Sequence, residues 1–235
     1  VYLLFGIALC FYVMMSQGVG VGTVFKNMFG VPYLIGALIP LVIVIIYITK
    51  AGLRGSIYND CIQFFIVSII LIICIPIVIK TLGLENIYNG LKEVATDPSN
   101  EYYEPQALSL TSSSGFHYGI AAVVVAFGQV LLDQGYYSKA IASTDNKSML
   151  RAYIVGTLIA WVPIPIICGS VFGAGYIALK SQLGLEAVSA GSDVAPLVMK
   201  YVFGGGVGSI FFVLMVFMAA MTTGGNCIAG AQALL

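Results

Sequence analysis

The chain of 235 residues is 60% hydrophobic and 9% charged, and its ten basic and ten acidic side chains leave no net charge. A soluble domain needs roughly a quarter of its residues charged, so this composition excludes one and predicts a surface that faces a lipid bilayer. A nucleic-acid partner would need a clustered basic face, which a neutral chain does not predict.

Six apolar stretches are long enough, or nearly so, to cross a bilayer as helices, which takes about 20 residues each. They cover residues 1–25, 31–49, 56–79, 115–142, 150–179 and 203–235. Transmembrane β-strands are about half as long and alternate in polarity, so the sequence predicts an all-α polytopic membrane protein. Since both chain ends are apolar, we expect residues 1–235 to be part of a single transmembrane domain in a longer protein.

A long polar stretch, residues 84–114, separates the third predicted span from the fourth. Its first part, residues 84–94, has apolar side chains at helical spacing, which predicts an amphipathic helix lying on the surface. The second part is rich in Asp, Pro, Asn and Ser, which is typical of a loop.

Basic side chains are concentrated in two short connections between the predicted spans. Lys50 and Arg54 lie in one connection, and Lys139, Lys147 and Arg151 lie in the other. Short loops that carry Lys and Arg tend to remain in the cytoplasm. We therefore expect both connections to be cytoplasmic and the 84–114 loop to be extracellular.

Asp133 lies inside the fourth predicted span, where an ionisable group is costly and usually faces a cavity or a partner. Gln129 precedes it by four residues and so falls on the same helical face, and Gln134 follows it directly. These polar groups predict a binding site at membrane depth. The alternative is that Asp133 lies at the cytoplasmic interface, near Lys139.

Two other polar groups suggest a path for a cation. Asp60, at the start of the third span, is either an interfacial carboxylate or part of a cation exit route. Thr222 and Thr223 follow the small residue Ala219 in the sixth span, and their hydroxyls suit a hard cation such as sodium. Threonine hydroxyls in membrane helices also bond to carbonyls of their own helix, and both interpretations stay open.

No motif of a hydrolase, zinc protease or phosphate-binding loop is present, so the sequence predicts neither an enzyme nor a cofactor. The five cysteines form no CxxC pair and are expected to be packing residues. The single histidine, His117, excludes a metal site built from several histidines.

Four stretches at these polar positions resemble the sodium:solute symporter family, and within it the urea active transporters. Residues 50–63, KAGLRGSIYNDCIQ, resemble the family signature GGLxAxxxTDxxQ. Residues 133–143, 161–165 and 217–223 (DQGYYSKAIAS, WVPIP and FMAAMTT) are similar to DQxYWQRAIAS, WFxIP and FMAVTS of the urea group. Order and spacing agree over essentially the whole chain.

The resemblance implies a LeuT-type fold of two inverted five-helix repeats, of which this chain would hold core helices three to eight. Substrate sites in such folds lie near the midplane of the bilayer, where helices are interrupted. By position, Ala219, Thr222 and Thr223 match the sodium site of the family, and Asp60 matches a carboxylate near the inner mouth. Ser-Ala-Glu of the urea group is replaced by residues 225–227, Gly-Asn-Cys, which leaves the coupling ion open.

We therefore expect a secondary symporter, located in the plasma membrane, that imports a small polar solute with a proton or sodium gradient. Urea is the favoured substrate, with Gln129, Asp133 and Gln134 as polar contacts and Trp161 as a flat apolar wall. The alternatives are another small solute such as a polyamine, or a transport-inactive relative that acts as a sensor. The sequence leaves the oligomeric state undetermined.

Overall fold

The computed structural model describes residues 2–183 and 191–235, without the side chains of residues 160, 161, 182 and 183. Within that part every regular element is helical, as the sequence predicts. The helices are α1 (Tyr2–Phe29), α2 (Tyr33–Leu82), α3 (Leu84–Thr96), α4 (Ser113–Leu132), α5 (Gln134–Ile141), α6 (Asn146–Gly156), α7 (Pro163–Leu183), α8 (Val194–Phe203) and α9 (Val207–Leu234). A π-helical turn, Thr157–Trp161, joins α6 to α7, and a 3-10 turn, Gly191–Asp193, precedes α8.

Within the described residues, five helical runs are long and apolar enough to cross a membrane. They are Tyr2–Phe29, Tyr33–Leu82, Ser113–Leu132, Asn146–Ser181 and Val207–Leu234. Large apolar side chains cover their outer surfaces; Val123, Val124 and Val125 of α4, for example, are all about two-thirds exposed. A contiguous apolar exterior of this extent suits lipid, since soluble proteins rarely expose one.

The second run, α2, is 50 residues long. At 1.5 Å per residue it would extend about 75 Å if straight, more than twice the roughly 30 Å hydrocarbon core of a bilayer. Gly52 interrupts it with φ 58° and ψ −160°, a combination that is essentially restricted to glycine. The predicted spans 31–49 and 56–79 lie on either side of this residue, and we call the two parts the first and second arms of α2.

The contacts made by α9 show that the chain reverses direction at Gly52. On the second arm, Ser56 reaches Asn226 and Gln63 reaches Thr222, so that arm runs antiparallel to α9. The first arm is antiparallel to α1, because Gly36 lies beside Phe25 and Ala37 beside Gly18.

Helix α1 is in turn antiparallel to α9, since Gly6 lies beside Leu234 and Phe25 beside Phe217. The first arm and α9 are therefore parallel. The two arms form a helical hairpin, in which the first arm runs parallel to α9 and the second arm antiparallel to it.

The main hydrophobic core lies between the second arm of α2 and helices α7, α8 and α9. Val78, Leu179, Val198 and Met199 are fully buried in it. Helix α3 covers this core from one end, where Gly90 packs directly on the backbone of Ala178. The amphipathic stretch predicted at residues 84–94 corresponds to α3.

Polar contacts beyond the core hold one end of the bundle together. The Asn27 amide donates to the Asp193 carboxylate at 2.6 Å, and the Lys180 ammonium pairs with Glu101 at 2.5 Å. Lys180 also lies 4.2 Å from the centroid of the Tyr102 ring. A hydrogen bond with Tyr176 raises the pKa of Tyr102 to about 12. The loop after α3 is thus fastened to α7.

Two predicted spans are interrupted in the structure. The stretch 115–142 is divided into α4 and α5 at Asp133, whose carboxylate accepts from the Gly135 amide and caps α5. The stretch 150–179 contains the π-helical turn, closed by a 3.0 Å bond from the Val162 amide to the Thr157 carbonyl. Pro163 follows immediately, and a proline inside a helix removes one backbone donor and disturbs the preceding turn.

The reversal at Gly52 predicts a specific intolerance. Gly52→Ala forces a side chain into backbone angles that only glycine adopts readily, at a cost of about 1–3 kcal/mol. We expect a lower midpoint of thermal unfolding in detergent. Gly119→Ala in α4 is the matched control, since an added Cβ there meets no atom within 4 Å. Equal unfolding midpoints for the two variants would contradict the strained hairpin.

Candidate functional site

Where the two arms of α2 and helix α5 meet α9, polar side chains gather in an otherwise apolar bundle. We call this group the polar cluster; its members are Tyr47, Ser56, Asn59, Asp60, Gln63, Lys139, Thr222 and Asn226. It lies at the bundle end that carries the Gly52 turn, opposite the end fastened by Lys180 and Glu101.

An ion pair joins α5 to the second arm of α2 within the cluster. The Lys139 ammonium donates to one oxygen of the Asp60 carboxylate at 2.6 Å, and the Asp60 side chain is only 13% exposed. The other carboxylate oxygen of Asp60 and the Asn59 amide nitrogen are buried and have no hydrogen-bond partner within the described residues. Because an unpaired charge in a low-dielectric site is costly, Lys139 is what makes the buried carboxylate tolerable.

Both arms of α2 are also hydrogen-bonded to α9. The Thr222 hydroxyl donates to the side-chain oxygen of Gln63, which is 2% exposed. From the first arm, the Tyr47 hydroxyl donates to the Met221 carbonyl at 3.1 Å. Ser56, just after the turn, is completely buried and lies 3.5 Å from the Asn226 side-chain oxygen.

The predicted cation-binding residues lie along this contact. Thr223 donates its hydroxyl to the Ala219 carbonyl at 3.1 Å, one turn earlier in α9. Thr222 is directed instead at Gln63, and Asp60 holds Lys139. In this arrangement the candidate oxygens bond to protein donors and acceptors, and their assignment to a cation stays a prediction.

The predicted substrate-binding residues lie at the junction of α4 and α5. The Asp133 amide donates to the Gln129 carbonyl at 2.8 Å, and its carboxylate accepts from the Gly135 amide at 2.8 Å. Helix α5 then packs on α9, where a Cβ at Gly230 would lie 3.5 Å from the Gln134 Cβ. The structure thus places Asp133 and Gln134 beside α9, next to the polar cluster.

Gln129 and Trp161 complete the predicted set. Gln129 is half-buried on α4, one turn before Asp133. The backbone of Trp161 belongs to the π-helical turn, but its side chain lies outside the part of the chain that the structure describes. The proposed wall formed by Trp161 is therefore an untested prediction.

Sequence reasoning did not single out Tyr47, Ser56 or Gln17. Tyr47 and Ser56 became visible only through their contacts with α9. Gln17 lines a cavity of about 260 Å³, together with Ala219, and a larger cavity of about 640 Å³ between α1, the first arm of α2 and α9. A lone amide inside an apolar stretch is the signal that would have identified Gln17.

Comparison with known proteins supports the resemblance drawn from the motifs. A model of the sodium:solute symporter family matches residues 2–231. The "Urea-proton symporter DUR3" of Oryza sativa subsp. japonica is 28% identical over 82% of this chain and 29% of its own length. The "Urea active transporter" of Saccharomyces cerevisiae is 27% identical over 83% of this chain and 28% of its own length.

A third relative, "Probable urea active transporter 1" of Schizosaccharomyces pombe, is 31% identical over 59% of this chain and 21% of its own length. The chain therefore spans less than a third of the length of these relatives. No solved structure matches it significantly.

The ion pair in the polar cluster predicts a test of its structural role. Lys139→Met leaves the Asp60 carboxylate buried without its partner, and we expect the free energy of unfolding to fall by about 1–3 kcal/mol. Lys139→Arg keeps the charge and serves as the control. The double variant Lys139→Met with Asp60→Asn should recover most of the loss in thermal unfolding. A Lys139→Met protein as stable as the parent would show that the pair contributes nothing.

Proposed function

The chain belongs to the sodium:solute symporter family, and we propose that it forms part of a secondary symporter that imports urea. The helices would be core helices three to eight of a LeuT-type inverted-repeat fold, in the plasma membrane. The observation that carries the proposal is the interruption between α4 and α5, where Asp133 caps α5 and Gln134 lies against α9. Interrupted helices are where transporters of this kind bind their substrates.

Urea suits the chemistry of this junction. It is planar and neutral, with one hydrogen-bond acceptor and four N–H donors. The Asp133 carboxylate and the side-chain oxygens of Gln129 and Gln134 would accept from those donors, an amide NH₂ would donate to the carbonyl, and Trp161 would form the flat wall. A site built around such bonds discriminates strongly, because the wrong solute leaves buried polar groups unpaired.

A polyamine fits this junction less well. It carries several positive charges and would need several free carboxylates. Asp60, the carboxylate of the polar cluster, is already paired with Lys139, which leaves Asp133 as the free carboxylate of the junction. One carboxylate does not balance the several charges of a polyamine.

The coupling ion would be a proton or sodium. For sodium, we propose the Ala219 carbonyl and the Thr222 and Thr223 hydroxyls as ligands, since a hard cation prefers oxygen donors. Asp60 would bind the cation on its way to the inner mouth, after Lys139 has moved away from the carboxylate. For a proton, Asp133 is the candidate carrier.

The orientation follows from the basic connections. Residues 50–54 and 139–151 would face the cytoplasm and residues 84–114 the outside, because short basic loops are retained inside. On intact cells, an impermeant thiol reagent should label Ser99→Cys and leave Thr144→Cys unlabelled. Labelling of Thr144→Cys alone would reverse the orientation.

Asp133→Asn tests the substrate assignment. Asparagine keeps the shape and the cap of α5 but removes the charge, and a hydrogen bond to a charged group contributes about 1.5–3 kcal/mol. We expect uptake of labelled urea at sub-saturating concentration to fall by about tenfold. If Asp133 also carries the coupling proton, the variant loses the pH dependence of uptake.

Asp145→Asn is the matched control, because Asp145 caps α6 in the same way from an exposed position. Its urea uptake should equal that of the parent. Saturable polyamine transport that urea does not compete would contradict the urea assignment and leave the symporter fold intact. Unchanged urea uptake by Asp133→Asn would remove Asp133 from the site.

The double variant Thr222→Ala with Thr223→Ala tests the cation site. Loss of two oxygen donors should raise the sodium or proton concentration needed for half-maximal uptake, with little change in protein abundance. Thr49→Ala is the control, since the Thr49 hydroxyl bonds to carbonyls of its own helix at an exposed position. An unaltered ion dependence would make Thr222 and Thr223 packing residues.

A further inference from the structure

Two cysteines and a methionine pack together where α1 crosses α9. Cys10 and Met14 are one turn apart on α1, so they share a face of that helix. Cys227 lies on the facing side of α9, and it packs with Cys10 and Met14 in one cluster. Both thiols are nearly fully buried, with Cys10 6% and Cys227 3% exposed.

Gly224 leaves room for the Met14 thioether to lie against α9 near Cys227. It lies one turn before Cys227 on α9, and a Cβ there would be 3.2 Å from the Met14 sulfur. Met14 therefore lies across the bare backbone of α9, next to the turn that carries Cys227. A side chain at position 224 would displace it.

A cavity gives access to this cluster. Cys10, Met14 and Cys227 all line the cavity of about 640 Å³ between α1, the first arm of α2 and α9. A buried group of sulfur side chains that lines a cavity is suited to a soft cation.

We propose that Cys10, Cys227 and Met14 form a binding site for a soft monovalent metal ion of the copper(I) class. Thiolate and thioether donors select such ions, whereas hard cations require oxygen. Binding breaks the two S–H bonds, forms two metal–thiolate bonds and releases both protons to solvent. The thioether adds a third, neutral ligand, and the ion links α1 to α9.

This site is distinct from the proposed sodium ligands. Thr222 and Thr223 offer oxygen donors directed at Gln63 and Ala219, while Cys227 faces α1. The metal site also does not depend on urea transport, so it can be tested by binding alone.

Ag⁺ is the appropriate probe, because it shares the charge and sulfur preference of copper(I) without its redox chemistry. Protein purified in detergent is equilibrated with Ag⁺ in an excess of a monothiol competitor, and the metal retained per chain is measured after desalting. The competitor removes Ag⁺ from single cysteines. A protein site that holds the ion between two thiolates retains it. We expect the parent protein to retain a single Ag⁺ ion.

Cys10→Ser and Cys227→Ser should each weaken retention by more than about tenfold, and Met14→Leu, which keeps the volume, by a smaller factor. Cys74→Ser is the matched control, since Cys74 is equally buried, at 4% exposure, on α2. Its retention should equal that of the parent. Retention that survives Cys10→Ser and Cys227→Ser, or its absence from the parent, would overturn the proposal.

Discussion

Helix α9 contacts both arms of α2 at once, and this shared contact governs the architecture of the site. It requires the chain to reverse within one residue, because Gly52 is the interruption between two arms that run in opposite directions along α9. The turn leaves Tyr47 of the first arm against Met221 and Ser56 of the second arm against Asn226. The hairpin therefore brings the polar side chains of two membrane-crossing segments to the same few turns of α9.

Most side chains of the polar cluster form hydrogen bonds within the bundle. The hydroxyl of Thr222 meets the Gln63 amide and that of Tyr47 meets a backbone carbonyl, so each contact replaces a hydrogen bond to water. Asn59 and Asp60 are the exceptions, because the Asn59 amide nitrogen and one oxygen of the Asp60 carboxylate have no partner in the described part of the chain. Such unpaired atoms leave this network free to exchange partners.

The sequence predicts the helical class and the location of polar groups well, and their partners poorly. Hydropathy is sufficient to predict the helical class, because apolar runs of this length cross a bilayer as helices. Asp133 is visible as a carboxylate in an apolar run, yet the sequence does not say that it ends α4 and caps α5. The partner of Asp60 is 79 residues away, and no local pattern encodes such a pairing. Tyr47 is hidden for the same reason, since an aromatic residue in an apolar stretch has no distinctive signal.

Helix α4 has no buried residue among Ser113–Leu132, and α6 has none either. The side chains of α4 therefore contribute to this part of the protein through hydrophobicity and length more than through their shape. Interchange among valine, isoleucine, leucine and phenylalanine on α4 leaves its contacts with the described residues almost unchanged. Helix α9, packed on three sides, has no such freedom. This part of the protein should therefore tolerate apolar substitutions along α4 up to Asp133, where the helix meets the polar junction.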